Sequence, residues 1–145
     1  MSLDGNGDAT LATSSLPIGT DNLSAVYSGD SNYSGSTGYS SESIGDLTVT
    51  TLSSSANPVT TGSSVTFTAN VVGSPQSDGV STGFVFFYAS SPFGRTPIGQ
   101  EQLDSNGDAS VTVTVNSSEG VFAVYSPPIN SQYLSSTSNA IKEQV

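Results

Sequence analysis

One stretch of this chain occurs twice. Residues 3–13, LDGNGDATLAT, return at 103–113 as LDSNGDASVTV, and AVYSGDSNYSGST at 25–37 returns as AVYSPPINSQYLSST at 123–137. Ordered matches at a nearly constant offset of ~100 residues mark a duplicated structural unit, not a chance echo. The phase of the repeat divides the chain: residues 45–145 make one full unit, and residues 1–44 read as the C-terminal part of a preceding, incomplete one. About 55 residues of that earlier unit are expected upstream, by the repeat length.

Within the full unit the apolar residues alternate. SSVTFTANVV puts Val65, Phe67, Ala69 and Val71 on one face with Thr66, Thr68 and Asn70 on the other, and DASVTVTV does the same with Ala109, Val111, Val113 and Val115. A period of two is the signature of a half-buried strand. Turn-forming clusters such as NP, TG, SPQSDG, SPFG, SNG and SSEG separate the runs, and no segment carries a 3.6-residue apolar stripe. The expectation is all-β: about seven strands in ~100 residues, folded as an antiparallel two-sheet sandwich.

Charge excludes several partners. Twelve acidic residues face only Arg95 and Lys142, with no histidine, for a net charge of −10. Nucleic acid needs clustered Lys and Arg to displace counterions, and an anionic membrane surface is disfavoured for the same reason. No apolar run approaches the ~20 residues of a membrane span. Cysteine is absent, which removes disulfides, thiolate metal sites and cysteine nucleophiles together.

In order along the chain, AVYSGDSNYSGST, SSSANPVTTGSSVTFTANV, STGFVFFY and TPIGQEQLDSNGDASVTV resemble the bacterial immunoglobulin-like repeats found in tandem in large surface and secreted proteins. The resemblance covers nearly the whole chain. It implies an immunoglobulin-like sandwich without the cysteine pair and tryptophan of antibody domains. It also implies a non-catalytic spacer or adhesion module, outside the cell or on its surface, whose partners are neighbouring repeats.

Asp4, Asn6 and Asp8, and their repeats Asp104, Asn106 and Asp108, copy the first half of a calcium loop. The helix-flanked loop also needs glycine at its sixth position and glutamate at its twelfth, where this chain has Ala9 and Ser15, then Ala109 and Val115. The rival reading is a hairpin corner, with Asn6–Gly7 and Asn106–Gly107 both at positive φ. Calcium-assisted adhesion, with help from Asp30 and Asn32, stands as the alternative; no other cofactor is expected. Catalysis has little to work with: no histidine or cysteine, no GxSxG or SxxK motif, and acidic residues expected in solvated turns. Lys142, in NAIKEQV, is expected in a frayed, solvated tail.

A further feature departs from the family. In TGFVFFY the inward positions are Val85 and Phe87, because the family usually has threonine at the places of Phe84 and Phe86; in GVFAVYS they are Val121, Ala123 and Tyr125. If these runs are the neighbouring strands C and F, then Phe84, Phe86, Phe122 and Val124 form one outward apolar patch. It could be covered by SPFGRTPI or by the first unit, pack against another copy, or bind a carbohydrate or protein. A slip of one residue would instead bury Phe84 and Phe86.

The first unit is expected to have three strands, near residues 9–14, 22–28 and 33–42, too few for a two-sheet core. They need cover from the second unit or from another molecule.

Overall fold

The structure is a computed structural model describing residues 1–74 and 78–145, and it divides into two compact units, Met1–Ile44 and Gly45–Val145. Part of the SPQSDG turn, residues 75–77, lies outside the described residues.

Unit 1 is a two-stranded antiparallel hairpin of β1 (Gly19–Tyr27) and β2 (Ser36–Ile44). Residues 9–14, expected as a strand, are not one. The alternation is there, but among the described residues no partner strand takes up the backbone groups of residues 9–14, and a strand exists only through its neighbour.

Unit 2 is a sandwich of two antiparallel sheets. One has the order β3 (Leu47–Ser54), β4 (Ser63–Ser74), β7 (Asp108–Val115). The other has the order β10 (Ile141–Glu143), β8 (Glu119–Ser126), β5 (Phe84–Ser91), β6 (Gly94–Gln102), with the two-residue β9 (Ser136–Thr137) also on β8. Alternation places the core as read: Val65, Phe67, Ala69 and Val71 of β4 are fully buried against Val85 and Phe87 of β5 and Ala123 and Tyr125 of β8. Each large apolar side chain so buried contributes ~1.5–3 kcal/mol, so this interior is the main stabilising term of the unit.

Strand β3 reverses the usual pattern. Its apolar Leu47 and Val49 are exposed while Thr48, Thr50 and Ser54 turn inward. Buried hydroxyls need partners, and theirs come from the far end of the unit. The C-terminal segment is no frayed tail: β10 pairs with β8, leaving Lys142 exposed but burying Glu143 completely. Glu143 thereby departs from the expectation that the acidic residues all sit in solvated turns, because strand pairing fixes which face of β10 points inward.

Candidate functional surfaces

The two Asp–Asn–Gly–Asp corners have the same geometry. In the first, Asp4 Oδ1 accepts the N–H groups of Asn6 (2.8 Å) and Asp8 (2.9 Å), Gly7 N–H donates to Asp4 O (3.2 Å), and Asp4 N–H donates to Asp8 O (2.9 Å). In the second, Asp104, Asn106, Gly107 and Asp108 repeat those bonds at the same distances. Only the glycines have positive φ, +90° at Gly7 and +84° at Gly107. The corner is therefore a type I turn closed by a left-handed glycine, not the expected turn with both Asn and Gly at positive φ. Both first aspartates are held below the usual carboxylate range, chiefly by the N–H of Asp8 or Asp108 and then by that of Asn6 or Asn106. Asp108 Oδ1 takes a hydrogen bond from Asn70 Nδ2 at 2.8 Å. Asp30, the suggested helper, accepts N–H bonds from Asn32 and Tyr33 and the hydroxyl of Tyr27. Asp4, Asp30 and Asp104 thus each spend one carboxylate oxygen on backbone N–H groups of their own turn.

The outer faces of the sandwich differ. On the β3–β4–β7 sheet, Thr66 meets Thr112 and Thr68 meets Ser110, both at 2.8 Å, a ladder of cross-strand hydroxyls. On the other sheet, β5 and β8 are neighbours in a register that pairs Phe84 with Ser126, Phe86 with Val124 and Tyr88 with Phe122. Phe84, Phe86, Phe122 and Val124 therefore share the outward face, with Phe84 45% exposed and the other three half-buried.

Two further residues belong to this face. Tyr88 stacks on Phe122 with ring centroids 5.4 Å apart and planes 22° apart, and the Arg95 guanidinium lies 4.6 Å from the centre of the Tyr88 ring. Extending the period of two by one step from Phe86 would have found Tyr88; Arg95 needed the β5–β6 hairpin, in which Ser90 pairs with Arg95. Pro97 and a register shift after Phe87 interrupt β6, the outer strand. Both devices discourage another strand from adding there.

The third surface is the seam between the beginning and the end of unit 2. Asp46 N–H donates to Gln132 O (2.5 Å) and Leu134 N–H to Asp46 O (2.9 Å). Thr48 Oγ1 reaches Leu134 O (2.8 Å) and Ser136 Oγ (2.7 Å), and Thr50 and Ser136 hydroxyls meet at 2.6 Å. Ser54 Oγ donates to Glu143 Oε2 at 3.0 Å, while Glu143 Oε1 has no partner among the described residues. Asn57 clamps the end, donating to Lys142 O (2.8 Å) and accepting from Gln144 N–H (3.1 Å), and Val59 N–H donates to Gln144 O (2.9 Å). The partners climb together in sequence, and Asp46 and Tyr133 form a parallel bridge, so the two segments run side by side in one direction. Nothing in the alternation of LTVTTLSS announced the seam, because each bond spans about the whole unit.

A family model described as bacterial Ig-like domain (group 3) matches residues 1–50 and again residues 52–145. Two variants of the superoxide reductase (neelaredoxin) from Ignicoccus hospitalis each share 16% identity with this chain, covering 65% of it and 80% of the reductase, at a TM-score of 0.41. A likeness that loose says nothing of activity. No curated protein matches the chain.

Proposed function

Because the chain belongs to the bacterial Ig-like domain family, we propose that it is a non-catalytic spacer repeat of an exported bacterial protein, built to carry tension between its neighbours. The seam of unit 2 supports this reading. Its two strands of contact run parallel, so force applied to the two ends of the unit slides one segment along the other. Hydrogen bonds worth ~1 kcal/mol each must then yield together instead of one at a time. The acidic surface keeps an array of such units soluble and mutually repelling.

The test is to pull the chain from Met1 and Val145 in a single-molecule force experiment, in buffer free of divalent metal. Unit 2 is expected to rupture in one cooperative event, at clearly lower force after Thr48→Ala, Ser54→Ala and Asn57→Ala together. A rupture force indifferent to the seam, or a unit that stays unfolded until calcium is added, would sink the proposal.

A second reading, recognition of a carbohydrate or protein, rests on the aromatic face. Stacked, partly exposed rings flanked by a guanidinium offer platforms for apolar faces of sugars or for aromatic side chains. Replacing Phe84, Phe86 and Phe122 by Thr should abolish retention on a glycan or protein matrix while leaving the fold intact; unfolding by the same change would assign the rings to structure alone.

A further inference from the structure

The chain has twelve acidic side chains and two basic ones, Arg95 and Lys142. Strand pairing brings both basic ones into one row of unit 2. Arg95 of β6 pairs with Ser90 of β5, Ser90 with Gly120 of β8, and Gly120 with Lys142 of β10. Residues directly opposite share a face of the sheet, so both cations stand on the outer face, exposed, in the row next to the Tyr88–Phe122 stack. The acids of these strands take the other face of the pleat: Glu101 pairs with the buried Val85, and Glu119 with the buried Glu143. In a chain of net charge −10, one sheet face thus carries both basic residues and none of the acids that its own strands hold.

Between the two cations the floor is low and polar. The row crosses β10, β8, β5 and β6, and a strand spacing of ~4.8 Å puts the Arg95 and Lys142 Cα atoms about 14 Å apart, a span over which two long side chains can converge. Ser90 Oγ donates to Gly120 O at 3.1 Å, and a Cβ on Gly120 would collide with that hydroxyl. Glycine therefore keeps the space above β8 open. The Tyr88–Phe122 stack walls one side, with the Arg95 guanidinium over Tyr88. Farther along, the exposed Gln100 lies opposite Phe86 and the exposed Gln102 opposite Phe84, which sets side-chain amides beside the rings.

We propose that this face binds a glycan of neutral sugars carrying isolated carboxylates, uronic or sialic in type, which rests on the reading of the face as a recognition surface. The carboxylate sits over Ser90 and Gly120 between Arg95 and Lys142, while sugar rings lay their apolar faces on Phe86, Tyr88 and Phe122. Sugar hydroxyls, which both donate and accept, meet the amides of Gln100 and Gln102. Charge complementarity selects the anion, and a guanidinium fork matches a carboxylate. The net charge of −10 disfavours a dense polyanion, whose other charges would be repelled by the rest of the surface. An extended peptide, which binds through main-chain bonds to a sheet edge, meets β6 interrupted by Pro97 and a register shift. What remains is a ligand that lies on the face and is rich in hydroxyls.

The probes are sialyllactose and xylo-oligosaccharides bearing one glucuronic acid, each beside its carboxyl-reduced form, titrated into the full chain by calorimetry. Thermal unfolding checks that each variant keeps its fold. At least one acid is expected to bind about tenfold or more tightly than its reduced form. Arg95→Gln and Lys142→Gln should each weaken the acid about tenfold and leave the reduced form unchanged, Arg95→Lys should recover part of the loss, and Phe86→Thr should weaken both forms alike. Equal binding of acid and reduced forms, both lost when Phe84, Phe86 and Phe122 become Thr, would overturn the proposal and leave the recognition surface standing. An acid whose affinity ignores Arg95→Gln and Lys142→Gln would overturn it as well. So would retention of a Glu–Tyr copolymer in place of any sugar, since the occupant would then be an acidic protein. Failure of every probe would remove the proposal and the recognition reading together.

Discussion

The two units share a hairpin corner, a strand register and a string of matched residues, yet one has an interior and the other has none. Leu103 is buried where Leu3 is 49% exposed; Tyr133 packs on the core where Tyr33 is 70% exposed. The corners keep the same distances in both. What survives without a partner is what the backbone and a neighbouring side chain settle within a few residues. Burial needs strands from far along the chain, and in unit 2 they arrive as β4 and β5.

The contrast is tested most severely in the core. Phe87→Ala in unit 2 removes a fully buried ring and should cost ~3–5 kcal/mol, read by denaturant unfolding. Leu11→Ala, at a strongly exposed site of unit 1, should stay within ~0.5 kcal/mol. A comparable loss from Leu11→Ala would show that unit 1 has a core after all.

The corner glycines separate local from distant effects more finely. Gly7 and Gly107 have almost the same positive φ, but a Cβ on Gly7 meets nothing within 4 Å whereas one on Gly107 runs into Val71 O and Val80 N. Gly7→Ala should therefore cost ~1 kcal/mol, the left-handed penalty alone. Gly107→Ala should cost about 3 kcal/mol in the thermal unfolding of unit 2, because backbone atoms cannot step aside. Equal effects would mean that the packing of Gly107 against β4 does not constrain the turn.

The same division explains what could be read in the sequence. Alternation in SVTFTANVV and GVFAVYS gave the inward sets, since a pleated strand allows only two faces; FVFFY is apolar throughout, and only the family resemblance put Phe84 and Phe86 outward with Phe122 and Val124. It failed at residues 9–14, where the pattern of a strand lacks a partner to pair with. It failed again at Thr48, Ser54 and Glu143, polar residues whose inward position is tolerable only because each meets another across the whole unit. Such bonds leave no local signature. The corner sat between these cases: that it turns was legible from Asn–Gly, but the turn type depends on whether the preceding Asp caps it.

Two tyrosines extend the comparison to alkaline pH. Tyr125 is fully buried, donates its hydroxyl to Thr82 O at 3.0 Å, and is pushed up to about 12, by burial first and by Tyr133 second. Tyr27, its repeat, is raised by its bond to Asp30. A raised folded-state value means that stability is present below the ordinary value of 10.0 and is lost as pH rises through about 12. Unit 2 should lose stability over that window, and Tyr125→Phe should remove the alkaline limb while costing ~1 kcal/mol at neutral pH for the lost bond. An unchanged alkaline limb in that variant would place its origin elsewhere.

The smallest effect asks whether the corner is local in its electrostatics as well as its shape. Asp4 and Asp104 are lowered from 3.8 by the same backbone N–H groups, and Asp104 adds a side-chain bond from Asn106. For a carboxyl lowered on folding, stability is present above 3.8 and disappears as pH falls through the depressed value, so acid should loosen both corners. The two titrations, followed by carboxyl NMR shifts, should nearly coincide, with Asp104 the lower if the Asn106 contact matters. Asp104→Asn should flatten the acid limb of unit 2 unfolding. A wide gap between the two midpoints would mean that the sandwich around Asp104 sets its charge, and the corner would cease to be an autonomous element in the copy that has a core.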